Sequence, residues 1–216
     1  MAIPVGPAAL QGDLVVPAGA MGVVLFAHGS GSSRHSPRNR QVAGALQRSG
    51  LATLLIDLLT LEEEAVDLQT AEFRFNIELL GERLEAAAEW LARTPGTRDL
   101  RIGLFGASTG AAAALVTASR RPELVGAIVS RGGRPDLAGR ALVGVRAPTL
   151  LIVGGDDTPV ITLNRQALTS LRGVKRLEIV PGATHLFEEP GALEQVASLA
   201  SAWFLQYLEP QSGSAS

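Results

Sequence analysis

The chain has 216 residues, 46% of them hydrophobic, and a formal net charge of −2. That length and apolar content suit one α/β domain with a sizeable core and exclude global disorder. The charge gives no electrostatic case for nucleic acid or an anionic membrane as partner. Cysteine is absent, which excludes disulfides, thiolate zinc sites and a cysteine nucleophile. The opening MAIPVGPAAL lacks a basic stretch followed by a long apolar run, so no secretory signal is expected. Runs such as GVVLFA fall far short of the roughly 20 residues that span a bilayer. The expectation is a cytoplasmic protein.

In chain order, short apolar runs alternate with longer amphipathic segments, the pattern of a mostly parallel sheet with helices on both faces. Leu14–Val16 and Val23–Ala27, joined through Pro17-Ala18-Gly19, read as an opening pair of strands. Ser36 then caps a helix with Pro37 at its first position, running to about Ser49. LATLLID forms the next strand. The segment LLTLEEEAVDLQTAE stands where it would shade one side of the site, but its acidic run reads rather as a solvated helix start. Phe73, Ile77, Leu80, Leu84, Ala87 and Leu91 are spaced as one helical face, which predicts a helix over about 72–93. Strand LRIGLFG, an alanine-rich helix from Ser108, and strands LVGAIVS and PTLLIVG follow. A helix over about 163–171, strand KRLEIV and a helix over about 192–208 complete the order. One domain over residues 1–208 is expected, with 209–216 as a disordered tail.

Gly106-Ala107-Ser108-Thr109-Gly110 matches G-x-S-x-G, after an apolar strand and at the opening of a helix. A serine thrust out on so tight a turn carries a backbone strain of roughly 1–3 kcal/mol. Glycines two before and two after let neighbouring backbone pass close. A dinucleotide loop would need glycine at Ser108, and a Walker loop a Gly-Lys pair that is absent.

Serine is a poor nucleophile until a base takes its proton, and the base needs a carboxylate to fix its tautomer. Of three histidines, only His185 follows Ser108, in PGATHLF between a strand and the last helix. The preceding strand ends in GGDD, so Asp156 and Asp157 are both candidate acids. An oxyanion hole needs two convergent N–H donors. Thr109, the residue after the nucleophile, is one. The loop His28-Gly29-Ser30-Gly31 supplies the other, assigned to Ser30, with Gly29 close to the substrate. His28 reads as a residue that fixes the loop.

With these motifs in order, the chain resembles the α/β-hydrolase superfamily over nearly its whole length, and most closely its dienelactone-hydrolase-like branch. The carrying motifs are HGSGSS (28–33), GASTG (106–110), GGDDTPV (154–160) and GATH (182–185). The superfamily's strand-end pattern G-x-x-D-x-x-V falls on Gly154, Asp157 and Val160, which favours Asp157. The resemblance implies a single-domain α/β-hydrolase fold, and the short interval Arg131–Pro148 leaves no room for a separate cap domain. It also implies ester hydrolysis without metal or organic cofactor, on a small-molecule ester. The enzyme that names the branch uses a cysteine nucleophile, so its diene-lactone substrate is not carried over. Acyl transfer to an alcohol or peroxide, and a non-catalytic binding module on the same fold, are the alternative readings.

Arginines recur in loops around this expected site: Arg34, Arg38 and Arg40 after one strand, Arg131 and Arg134 after another. Guanidinium forks suit carboxylate or phosphate oxygens. Arg34 and Arg131 are the first candidates to orient an anionic substrate group, against the competing role of ion pairing with Asp136 or Glu62–Glu64. Oligomeric state is not legible in the sequence.

Overall fold

The computed structural model describes residues 1–6 and 8–209. The tail expected at 209–216 therefore lies, from 210 on, outside the described residues. Among the described residues, eight strands form one sheet: β1 (Ala2–Val5), β2 (Ala8–Val15), β3 (Val23–Ala27), β4 (Ala52–Ile56), β5 (Ile102–Ala107), β6 (Val125–Arg131), β7 (Thr149–Gly154) and β8 (Lys175–Val180). Their order is β1-β2-β4-β3-β5-β6-β7-β8. From β4 to β8 all pairings are parallel, while β1 and β2 join antiparallel. Every residue of β3, β4, β5 and β7 is buried. Strands covered on both faces read as continuous apolar runs, which is why these four were visible in the sequence.

The period-two alternation divides the core. Val24 and Phe26 of β3 face α1 (Pro37–Arg48) and α6 (Ala192–Leu208). Val23, Leu25 and Ala27 face α3 (Ile77–Leu91) and α4 (Thr109–Arg120). Between β6 and β7 lies only a 3-10 segment, Pro135–Gly144, kinked at Gly139. The single-domain α/β-hydrolase fold with helices on both faces is thus present, and no separate cap stands in that interval. Among the described residues, no helix is long and apolar enough to cross a membrane.

Three expectations about elements need correction. β2 does not pair with β3; it lies on the far side of β4, with Leu14 opposite Leu54. β3 needs a buried parallel neighbour on each side and finds them in β4 and β5. The half-buried β2 instead takes the short strand β1, whose Pro4 is tolerated on a sheet edge. Second, the helix expected over about 72–93 begins only at Ile77, and a separate helix precedes it. Thr60 and Glu63 form a reciprocal capping box that opens α2 (Leu61–Thr70), and Ala71 closes it in the left-handed conformation (φ 56°). Asn76 then caps α3. Asp67 stabilises the turn between them by accepting the Phe73 and Arg74 N–H groups, both at 2.8 Å, and the Arg74 guanidinium. Third, α5 (Thr158–Ser170) begins five residues before the expected 163, with Pro159 in its first turn.

Leu54 is fully buried at the centre of β4. Leu54→Ala is expected to lower the unfolding free energy by about 2–5 kcal/mol, through lost burial and the cavity left behind, as read from the midpoint shift in urea unfolding.

Candidate active site

The parallel strands deliver their C-terminal ends to one edge, where ligands of open α/β sheets bind. Ser108 follows β5 there with φ 49° and ψ −118°, outside the region L-residues favour. Hydrogen bonds hold it on both sides. Its N–H donates to the Arg131 carbonyl at 3.3 Å, and its carbonyl accepts from Ala111 at 3.2 Å and Arg134 at 3.0 Å. A Cβ on Gly106 would overlap the Ala111 backbone, and one on Gly110 the Ala27 carbonyl oxygen. The two glycines of the motif are therefore demanded by packing. Ser108 is half-buried at the N-terminus of α4, where the helix dipole favours negative charge.

After β7, Asp157 stands at the N-cap of α5 with a mostly buried side chain, 12% exposed. Its Oδ2 lies 2.6 Å from Nδ1 of His185, so Nδ1 carries the proton and Nε2 is left free as an acceptor. Asp156 is exposed and does not reach His185. The histidine loop is held by Phe187, fully buried at φ 57°, whose N–H donates to the Thr184 carbonyl at 3.3 Å. His185 itself is 39% exposed. Ser108 Oγ and His185 are not hydrogen-bonded, a separation common before substrate is bound.

The loop after β3 approaches Ser108 closely: a Cβ on Gly29 would stand 3.0 Å from the Ser108 Cβ. Ser30 N–H donates to Thr109 Oγ1 at 3.0 Å. The backbone N–H of Thr109 is in the first turn of α4, where helices leave donors without intrahelical acceptors. The side chain of Thr109 thus pins one candidate oxyanion donor beside the other. His28 is buried; its Nδ1–H donates to the Gly29 carbonyl at 2.9 Å, and its Nε2 accepts the Leu58 N–H at 3.0 Å. It ties this loop to the end of β4, and burial holds its pKa below 6.5.

Residues 10–209 match the model of the dienelactone hydrolase family. The chain belongs to that family. A dienelactone hydrolase from Anabaena variabilis is 63% identical, covers 97% of each chain and superposes with a TM-score of 0.95. A putative phosphoribosyl transferase of Mycobacterium tuberculosis is 57% identical over 203 residues, 94% of this chain. The match takes in 45% of that relative, so the chain spans about half its length. Est1E from Butyrivibrio proteoclasticus shares the fold at a TM-score of 0.79, covering 95% of this chain and 97% of its own, with 15% identity.

In this dienelactone hydrolase family member the arginines divide. Arg34 is tied to Asp57, through both its backbone N–H (2.7 Å) and its guanidinium, and its Nε lies 3.6 Å from Asp13. Arg40 pairs with Asp13 at 3.2 Å, and Arg134 grips Asp136 with two bonds of 2.9 and 2.8 Å. Arg131 is buried without such a partner among the described residues. Beside the Ser30 loop lies a small recess walled by Leu58, Leu59, Leu68 and Leu80 and bounded by the Asp67–Arg74 pair. Glu64 and Leu68 of α2 line this recess. Among the described residues, no group of three or more His, Asp or Glu side chains is arranged to hold a metal ion. Sequence reasoning missed Phe187 and the Thr109 hydroxyl. An aromatic residue two positions after the loop histidine was the available signal for the first; nothing local marked the second.

The folded state resists protonating His28, because a proton on Nε2 breaks the Leu58 bond and buries a charge. Below pH 6.5 the unfolded chain takes up that proton and the folded one does not, so stability is lost as pH falls. The slope of unfolding free energy between about pH 6.5 and 5 is expected to be shallower in His28→Asn, measured by urea unfolding at each pH.

Proposed function

We propose that this protein is a serine hydrolase that cleaves small carboxylic esters through an acyl-enzyme. The observation that carries the reading is the strained Ser108 turn at the same sheet edge as the His185–Asp157 pair, 2.6 Å apart. The 63% identity to a protein described as a dienelactone hydrolase supports ester or lactone cleavage as the reaction class. Turning the partly exposed imidazole brings Nε2 to the Ser108 hydroxyl. His185 then takes the proton as Oγ attacks the carbonyl, and Asp157 stabilises the imidazolium. The oxyanion is held by the N–H groups of Thr109 and Ser30; the Ser30 N–H exchanges the Thr109 hydroxyl for the developing charge. His185 next protonates the leaving alcohol, and water, deprotonated by the same imidazole, hydrolyses the acyl-enzyme. The apolar recess beside Ser30 takes one arm of the ester.

Intact mass after treatment with a serine-reactive sulfonyl fluoride tests the nucleophile. One adduct is expected on the wild type and none on Ser108→Ala, together with a fall in kcat/KM of at least about 10³-fold on a 4-nitrophenyl ester. No adduct on folded wild type contradicts the reading. Activity is also expected to fall on the acid side as the base protonates; a rate flat down to about pH 4 removes His185 from that role.

A further inference from the structure

Asn164 is a fully buried amide in α5, the helix whose N-cap is Asp157. Its Nδ2 donates to two carbonyl oxygens. One is Val160, a turn back in the same helix, at 2.8 Å; the other is Gly133, in the loop after β6, at 3.0 Å. Two acceptors facing one end of the side chain fix which end is nitrogen. The Oδ1 is buried without a partner among the described residues, a cost that the donated bonds must offset. The Val160 bond stays within the helix, whereas the Gly133 bond ties the helix to the Ser108 turn.

The Gly133 carbonyl belongs to the same peptide unit as the Arg134 N–H, which donates to the Ser108 carbonyl at 3.0 Å. The Ser108 carbonyl in turn shares its peptide unit with the Thr109 N–H, the candidate oxyanion donor. Neither unit is cis, and in a trans peptide C=O and N–H point in opposite directions. One line of donors therefore runs from Asn164 through the Gly133–Arg134 and Ser108–Thr109 peptides to the oxyanion position. Each bond in such a line polarises the next. Packing leaves the first unit little room: a Cβ on Gly133 would overlap Ser130 Oγ and the Ala111 Cβ. Just before it, the Gly132 N–H donates to the Ile152 carbonyl at 2.8 Å.

We propose that Asn164 is a positioning residue for the oxyanion hole, orienting and polarising the Thr109 N–H through these two peptide units. It touches no reacting atom. This role rests on the esterase reading for the charge that the N–H receives. An oxyanion donor works because it is aimed before the charge develops. The Ser108–Thr109 peptide follows a backbone held at φ 49°, and strain of that kind persists only while its surroundings over-determine it. Without the amide, the Gly133–Arg134 peptide keeps a partner at one end only, and the Thr109 N–H loses its aim.

Asn164→Leu removes both donated bonds at similar volume. Asn164→Thr keeps a hydroxyl that bonds the Val160 carbonyl within the helix and is too short for Gly133. Losing an oxyanion donor outright costs about 10²–10³ in rate. Misaiming one is expected to lower kcat on 4-nitrophenyl butyrate by about tenfold in both variants, with KM within about twofold. Acylation and deacylation both pass through an oxyanion, so the fall shows whichever step limits turnover. Leu54→Ala, destabilised in the core of β4, is the control and is expected to keep the wild-type kcat well below its Tm. By NMR of isotope-labelled protein, the Arg134 amide proton is expected upfield of its wild-type position in both Asn164 variants, as its bond to Ser108 weakens. Wild-type kcat in the Asn164 variants, an equal loss in Leu54→Ala, or a rise in KM with kcat unchanged overturns the role. Should wild type cleave no ester, the esterase reading fails, and the Arg134 resonance decides alone: unmoved, it overturns the role. Should Asn164→Leu fail to fold, Asn164→Thr carries both measurements.

Discussion

The backbone of Ser108 is held at φ 49° by bonds that also fix everything around it. Its carbonyl accepts the Ala111 and Arg134 N–H groups, and its N–H reaches the Arg131 carbonyl. One residue therefore joins the end of β5, the first turn of α4 and the loop after β6. The strain, roughly 1–3 kcal/mol, is sustained because Gly106 and Gly110 let backbone approach at distances no side chain permits. From that point the close approach of Gly29, and the Thr109 hydroxyl that holds the Ser30 N–H, follow as consequences of packing.

Two buried ionisable groups flank this turn and illustrate opposite solutions to desolvation. His28 is kept neutral: each ring nitrogen has a backbone partner, so the loop after β3 is locked to β4 with no net charge buried. Arg131 does not escape by deprotonation and remains charged with donors unpaired. Other arginines are paired with carboxylates, as Arg34 with Asp57 and Arg74 with Asp67 show. Arg131, beside Ser108 and without a carboxylate partner among the described residues, carries the desolvation cost that those pairs offset.

Much of the fold was legible because buried parallel strands are continuous apolar runs and several helices carry plain caps. Ser36-Pro37 opens α1 at the expected residue, and KRLEIV and 192–208 are the observed β8 and α6. The errors fell where local signals conflict. Phe73 continues the apolar spacing of α3, yet the Asp67 carboxylate captures the N–H groups of residues 73 and 74 and ends any helix there. The partner of β2 was misread because adjacency in sequence favours β3, whereas β3 is already paired on both edges.

The sequence by itself determined the family, the turn at Ser108 and the chain order of serine, acid and histidine, since each depends on residue types at short spacings. Between Asp156 and Asp157 it offered only a resemblance. The tertiary structure separates them by distance, because only Asp157 lies within reach of a histidine 28 positions later. It likewise decided among the arginines. All are chemically alike in the sequence, and which is paired depends on carboxylates such as Asp13 and Asp57 that arrive from other strands. Burial and pairing are properties of long-range contacts, so the Arg131 guanidinium, without a carboxylate partner among the described residues, became visible only in the folded chain.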